Sequence, residues 1–254
     1  MDKTCSSAVE AVADIPSGAS IAVGGFGLSG IPAVLIRALL AQGASDLELV
    51  SNNAGVDDWG LGILLQAHRV RRIIASYVGE NKEFERQFLS GQLEVELTPQ
   101  GTLAEKLRAG GSGIAAFYTR AGAGTWVADG GIPWKYDTAG NVVLSSPKKP
   151  QHTFANLGAP VEYVLEESIA TDFAMVRAAV GDRHGNLVFH ESARNFNPVA
   201  AMAGRTTIAE VERLVEPGEI SPDHVHLSGV FVHRVVELTA REATQKRIEK
   251  VTTR

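Results

Sequence analysis

Residues 22–40 read AVGGFGLSGIPAVLIRALL, and how this stretch is interpreted decides the fold. Gly25, Gly27 and Gly30 spell G-x-G-x-x-G. An apolar run, SIAV at 20–23, precedes them. Val34, Leu35, Ala38 and Leu39 follow at helical spacing, with Pro32 placed for a first helical turn and Gly43 for the stop. The order is strand, glycine loop, helix.

Such loops hold dinucleotide pyrophosphates when the next strand ends in an acid about 20 residues on, which grips the ribose. Here the next strand, LELV at 47–50, ends in Ser51, Asn52 and Asn53; Glu48 is mid-strand and Asp46 precedes it. No Gly-Lys-Ser/Thr follows the loop, so the phosphate-loop reading of nucleoside triphosphatases fails too. What survives is a loop of bare backbone N–H groups at a helix start. That arrangement suits an anion or a polarised carbonyl oxygen.

Working outward, strand-like runs at 21–25, 47–53, 71–78, 93–98 and 114–119 alternate with helical patterns at 33–42, 59–68, 81–90 and 102–111. That alternation predicts a mostly parallel sheet covered on both faces. LEVELT (93–98) alternates as a strand half exposed to water would. After residue 122 the chain turns glycine-rich and reads as loops and short hairpins. FAMVRAAVGDRHGNLVFH (173–190) reads as two strands joined at Asp182–Asn186. Further strands are expected at 206–216 and 230–238. Residues 1–238 form the expected domain, and 239–254 a charged tail, either a peripheral helix or a frayed end.

The net charge of −5 lacks the basic excess that a broad nucleic-acid surface needs. No apolar run is long enough to span a membrane, and residues 1–18 lack the apolar stretch of a secretory signal. Cys5 is the single cysteine, which excludes an internal disulfide and any CxxC metal site. A cytoplasmic protein is expected.

Ligands of open parallel sheets bind beyond the carboxyl ends of the strands. Three of those ends are glycine-rich or polar: GGFGLSG (24–30), SNNAG (51–55) and TPQG (98–101). The side-chain amides of Asn52, Asn53 and Gln100 can donate hydrogen bonds without adding charge, as a carboxylate or thioester oxygen gaining charge would require. The plainer alternative makes the asparagines turn formers and Gln100 a solvated loop residue. Other candidates fare less well. Asn81 reads as a helix cap and Glu80 as an acid at that helix's positive end. His224, His226 and His233 lack the further ligands a metal would need, and His184 sits in a turn signature. Ser168 and Ser192 lack the G-x-S-x-G elbow of a hydrolase. Trp59, Trp126 and Trp134 read as core or interface residues.

VGGFGLSGIP, SNNAGVDDWGLGILL, SYVGENKEFERQFLSGQLEVELTPQGTLAEKLRAGG and SARNFNP together resemble the A subunit of family I CoA-transferases, most closely the succinyl-CoA:3-oxoacid type, from about residue 4 to about residue 236. The 3-oxoadipate transferases rank second, because they differ around residues 76–97. A non-catalytic acyl-CoA-binding module is a further alternative. The resemblance implies a three-layer α/β fold with a hairpin-rich C-terminal half. CoA and acyl-CoA are its substrates, with no resident cofactor or metal. A B subunit carrying the nucleophilic glutamate is the implied partner, in a heterodimer or heterotetramer. It implies a CoA-binding loop of Gly24, Gly25, Phe26, Gly27, Leu28, Ser29 and Gly30, with Asn52, Asn53 and Gln100 orienting acyl groups or oxyanions. No catalytic residue is implied on this chain. Glu80 in VGENKEF resembles the Ser-Glu-Asn-Gly setting of the family's catalytic glutamate and as nucleophile would let the chain act alone, but its reading as a helix-end acid is preferred. Ser29 stands where the family often has cysteine, and Ala33 where a glutamate often follows Gly-Ile-Pro. Neither change removes a backbone donor.

Overall fold

A computed structural model describes residues 1–155 and 158–246. Four strand–helix units come first: β1 (Ser20–Val23) with α2 (Ala33–Gln42), β2 (Leu47–Val50) with α3 (Gly62–Gln66), β3 (Val70–Ala75) with α4 (Lys82–Leu89), and β4 (Glu94–Leu97) with α5 (Gln100–Gly111). A short α1 (Ala8–Val12) precedes them. Next come β5 (Ala116–Thr119), a short α6 (Trp126–Asp129), β6 (Pro133–Tyr136), β7 (Val142–Ser145), β8 (Gln151–Phe154) and β9 (Val161–Glu167). The chain then returns through β10 (Thr171–Asp182), β11 (Leu187–Val188), α7 (Asn197–Ala203), β12 (Gly204–Val215), β13 (Arg234–Glu237) and α8 (Ala240–Ala243).

The main sheet runs β13-β12-β10-β1-β2-β3-β4, all parallel, with β11 added antiparallel to β10. Strand β1 lies inside it. The early strands grow from one side of β1 and the late strands from the other, so the strand order reverses between β1 and β10. In such sheets the crevice at the reversal is the usual ligand site. The glycine loop follows β1 directly and opens there.

Successive β1 residues explain the layers, since neighbouring strand side chains point to opposite faces. Ile21 and Val23 enter a core with Leu35, Ile36 and Leu39 of α2, Leu64 and Leu65 of α3 and Phe84 of α4. Ala22 enters the opposite core with Leu103 and Leu107 of α5 and Ala200 and Ala201 of α7. Both faces of β1 are covered, so its residues 21–23 are apolar throughout rather than alternating. Truncating one of these fully buried leucines to alanine costs about 2–5 kcal/mol.

The expected α/β sheet and the hairpin-rich C-terminal half are both present. Four details differ from the sequence reading. The run at 114–119 does not extend the parallel rhythm; β5 pairs antiparallel with β9 in a separate three-stranded sheet, β5-β9-β8. Glu96 of β4 is buried, not solvated, because Arg72 Nη2 donates to its Oε2 over 2.7 Å and Lys106 Nζ lies 3.4 Å from its Oε1. Helix α5 ends at Gly111 as expected but starts two residues early, so Gln100 stands in its first turn and not in a loop. A Cβ at Gly111 would stand 2.4 Å from Met202 Cβ, so small residues there let α7 approach. Helix α7 itself was not anticipated, although Pro198 in its first turn is a start signal. Of the charged tail, α8 opens with a capping box between Thr239 and Glu242, and Gln245 and Lys246 reach the lining beside the glycine loop. Residues 247–254 lie outside the described residues.

Candidate active site

The glycine loop closes on itself. Phe26 N–H donates to Ser29 O and Ser29 N–H to Phe26 O, each over 3.0 Å, around a turn at Gly27 and Leu28. Gly27 has φ 61°, a conformation glycine adopts without strain. Gly24 N–H prolongs the ladder by donating to Met175 O over 3.0 Å. Among the described residues, the amides of Gly25, Gly27 and Leu28 find no acceptor within the chain. Gly24, Gly25, Leu28 and Gly30 are buried, Gly27 and Ser29 half-buried, and Phe26 exposed.

The loop after β2 repeats this turn. Val56 and Trp59 exchange N–H···O bonds of 3.3 Å, and Gly55 and Gly60 stand where Gly25 and Gly30 stand in the first loop. Leu28 and Ile31 of one loop pack with Val56 and Trp59 of the other. No sequence repeat announces this pair beyond two glycines five residues apart.

Asn197 braces the first loop from behind. It is fully buried, and its Nδ2 donates to Gly30 O over 2.9 Å and to Ala193 O over 2.8 Å. Its Oδ1 accepts from Arg177 N–H over 3.0 Å. A Cβ on Gly24 would meet that oxygen at 2.0 Å, so glycine is required there for space, not for backbone angles. Asn197 lies in the SARNFNP stretch, where its spacing alone did not mark it.

The end of α2 is less open than the sequence implied. Its preceding residue, Pro32, has no capping side chain. The orphan amides of Val34 and Leu35 are taken by Glu210 Oε2, over 3.0 and 2.9 Å. The amides left open are therefore those of the turn at Gly27 and Leu28, not those of Val34 and Leu35 at the helix end.

Beside the loop the strand tips are stitched into one polar rim. Ser51 Oγ donates to Val23 O over 2.9 Å, joining β2 to β1. Asn52 Oδ1 accepts from Ser76 Oγ over 2.8 Å and from Gln100 Nε2 over 2.7 Å, joining the ends of β2, β3 and β4. Asn52 is only 2% exposed, whereas Gln100 is exposed. In this arrangement both donors sit on Oδ1, and among the described residues Asn52 Nδ2 has no acceptor. Asn53 is half-buried and makes no side-chain hydrogen bond within the described residues. Ser51 and Ser76 escaped the sequence reading because serine at a strand end carries no distinctive signal.

Residues 5–238 match the family described as Coenzyme A transferase. The chain belongs to that family. One relative within it, the probable A subunit of succinyl-CoA:3-ketoacid coenzyme A transferase from Mycobacterium bovis, is 63% identical over the whole of both chains. The corresponding A subunit from Bacillus subtilis is 52% identical, covering 99% of this chain and 95% of its own. The mitochondrial succinyl-CoA:3-ketoacid coenzyme A transferase 2A of Rattus norvegicus is 46% identical over 97% of this chain but only 46% of its own length. Among solved structures, glutaconate coenzyme A-transferase of Acidaminococcus fermentans superposes with a TM-score of 0.75 at 22% identity, covering 96% of this chain and 78% of that one. That match shows a shared transferase fold.

Several of the remaining candidates make contacts that hold the fold together. Asn81 Oδ1 accepts from Phe84 N–H over 2.9 Å, which caps α4, and its Nδ2 donates to Ala54 O. Glu80, one residue earlier, is exposed. His226 Nδ1 accepts from Phe189 N–H and His233 Nδ1 from Thr207 N–H, each over 3.0 Å. Burial holds both imidazoles below the usual histidine range. His184 lies in the turn that Asp182 organises. Trp59 packs between the two loops and Trp134 lies under Arg72, while Trp126 is exposed. Among the described residues no three His, Cys, Asp or Glu side chains are grouped to hold a metal, and no helix is long and apolar enough to cross a membrane.

Proposed function

We propose that this chain is the A half of a succinyl-CoA:3-oxoacid CoA-transferase, and that its rim and glycine loop face a glutamate carried by a B subunit. The observation that carries the reading is the amide of Asn52, buried at the rim with Ser76 and Gln100 on its oxygen. Its Oδ1 is saturated by Ser76 and Gln100, so its Nδ2 hydrogens serve an oxygen from outside the chain.

In the proposed sequence the partner's glutamate carboxylate attacks the acyl carbon of succinyl-CoA and expels CoA thiolate, forming an anhydride. The thiolate attacks the glutamyl carbonyl, succinate leaves, and a glutamyl-CoA thioester remains. The carboxylate of a 3-oxo acid such as acetoacetate then attacks that thioester and expels CoA thiolate to give a second anhydride. The thiolate attacks its 3-oxoacyl carbonyl, releasing the glutamate carboxylate and the new acyl-CoA. Each attack gathers negative charge on a carbonyl oxygen. Neutral donors fixed before the reaction stabilise that charge without reorganising. Asn52 Nδ2, the remaining Gln100 Nε2 hydrogen and the Gly27 and Leu28 amides are the donors offered by this chain. Asn53, half-buried beside them, is assigned to the acyl group. The relatives named as A subunits, and the rat protein of about twice this length, support a second chain as the missing half. The composition, with its single cysteine, fits a reducing cytoplasm.

Mass spectrometry of the complex after incubation with succinyl-CoA tests the division of labour. The CoA adduct is expected on a glutamate of the partner. An adduct on Glu80 of this chain would overturn it.

A further inference from the structure

Strand β12 carries a carboxylate that no sequence motif distinguished. Glu210 is 0% exposed. A buried charge is retained only where partners compensate its lost hydration. Glu210 has them on two sides. Oε2 bridges the Val34 and Leu35 amides in the first turn of α2, and Oε1 lies 3.5 Å from Arg177 Nη1. Arg177, on the intervening strand β10, also donates its backbone N–H to Asn197, whose Nδ2 holds Gly30 O. Glu210 and Arg177 thus grip both ends of the Gly30–Ile31–Pro32 link between the glycine loop and its helix.

We propose that Glu210 is a positioning residue for CoA transfer, one whose negative charge seats the first turn of α2 and thereby sets the Gly27–Leu28 turn against the Asn52 rim. The proposal rests on the functional reading of that rim. Removing the charge weakens the attraction to the helix end. Arg177 stays anchored, because its Nη2 donates to Glu212 Oε1 over 3.0 Å and to Ala243 O over 3.1 Å. The loop end is therefore the part free to shift. The other charged groups around Glu210 are Arg37 on α2, Glu212 on its own strand with Lys246 upon it, and Glu242 on α8, which feels Arg37. Burial pushes the Glu210 carboxyl up to about 7, against Arg177, the two amides and Arg37, so the charge forms across the neutral range.

The test is CoA exchange by the complex with its B partner, comparing wild type with Glu210→Gln between about pH 5.5 and 8.5. The glutamine matches the shape, and its oxygen still accepts from the amides. The wild-type to variant ratio of kcat is expected to rise from near unity at acid pH to about tenfold at alkaline pH, with its midpoint near 7 and KM shifted less than about threefold. A ratio that is flat with pH, or a variant within about twofold of wild type at the alkaline end, overturns the role. An inactive wild-type complex would instead overturn the functional reading, and this role with it. If the variant fails to assemble, the wild-type full chain decides by NMR. Val34 and Leu35 amide resonances that titrate together near pH 7 support the proposal, and resonances unmoved across the range overturn it.

Discussion

Gln100 Nε2 donates to Asn52 Oδ1 over 2.7 Å, reaching from the start of α5 past the tip of β3 to the tip of β2. Two side chains 48 positions apart in sequence therefore behave as one group. Since Asn52 is buried and Gln100 exposed, the consequences of removing each should be unequal.

Asn52→Ala leaves Ser76 and Gln100 without their shared acceptor and should lower stability by about 1–2 kcal/mol, whereas Gln100→Ala should stay under about 1 kcal/mol because water replaces it. In CoA exchange each should lower turnover by up to about a hundredfold, the scale of losing one aligned oxyanion donor. The double variant should be little slower than Asn52→Ala alone. Urea unfolding and steady-state rates measure both effects; full additivity would show that the pair does not act as a unit.

Asn197→Ala strands Gly30 O, Ala193 O and the Arg177 amide in the interior and is expected to cost about 3 kcal/mol. Gly24→Ala should cost about 1–3 kcal/mol by driving a methyl group into Asn197 Oδ1. Combined, they should cost less than their sum, since the smaller residue at 197 makes room. Gly27→Ala is the contrast. Nothing lies within 4 Å of its Cβ, so only left-handed strain of about 1 kcal/mol remains. Urea midpoints at constant slope provide the comparison.

The sheet was legible because buried parallel strands and amphipathic helices leave strong periodic signals, as in SIAV and AVLIRALL. Its strand order was not legible, because the reversal at β1 depends on β10 pairing with a strand some 150 residues earlier in the chain. The rim was half legible. Asn52 and Gln100 stood out as amides at strand ends, but their mutual bond is a product of the fold. Glu210 and Glu96 were hidden for a simple reason: in sequence a buried, compensated carboxylate looks like a solvated one. IAAFYT has an ordinary strand composition, and no periodicity states which sheet a strand joins.

A pH series follows from His226 and His233. Both accept backbone N–H bonds through Nδ1, and burial lowers their pKa below the ordinary 6.5. A group that resists protonation when folded supports stability above its unfolded pKa, and that support is lost as pH falls through the folded value. Acidification from about pH 7.5 to 5 should therefore lower the urea midpoint of wild type more than that of His233→Gln, which keeps a neutral acceptor. Equal falls in the two proteins would show that His233 contributes nothing to acid sensitivity.

The central claim is most directly tested by CoA exchange between succinyl-CoA and acetoacetate, assayed with the purified chain alone, with its B partner, and with Glu80→Gln in place of wild type. No exchange is expected from the chain alone, exchange is expected on adding the partner, and the rate with Glu80→Gln should be undiminished. Exchange by the isolated chain that disappears in Glu80→Gln would contradict the division of labour between the two halves.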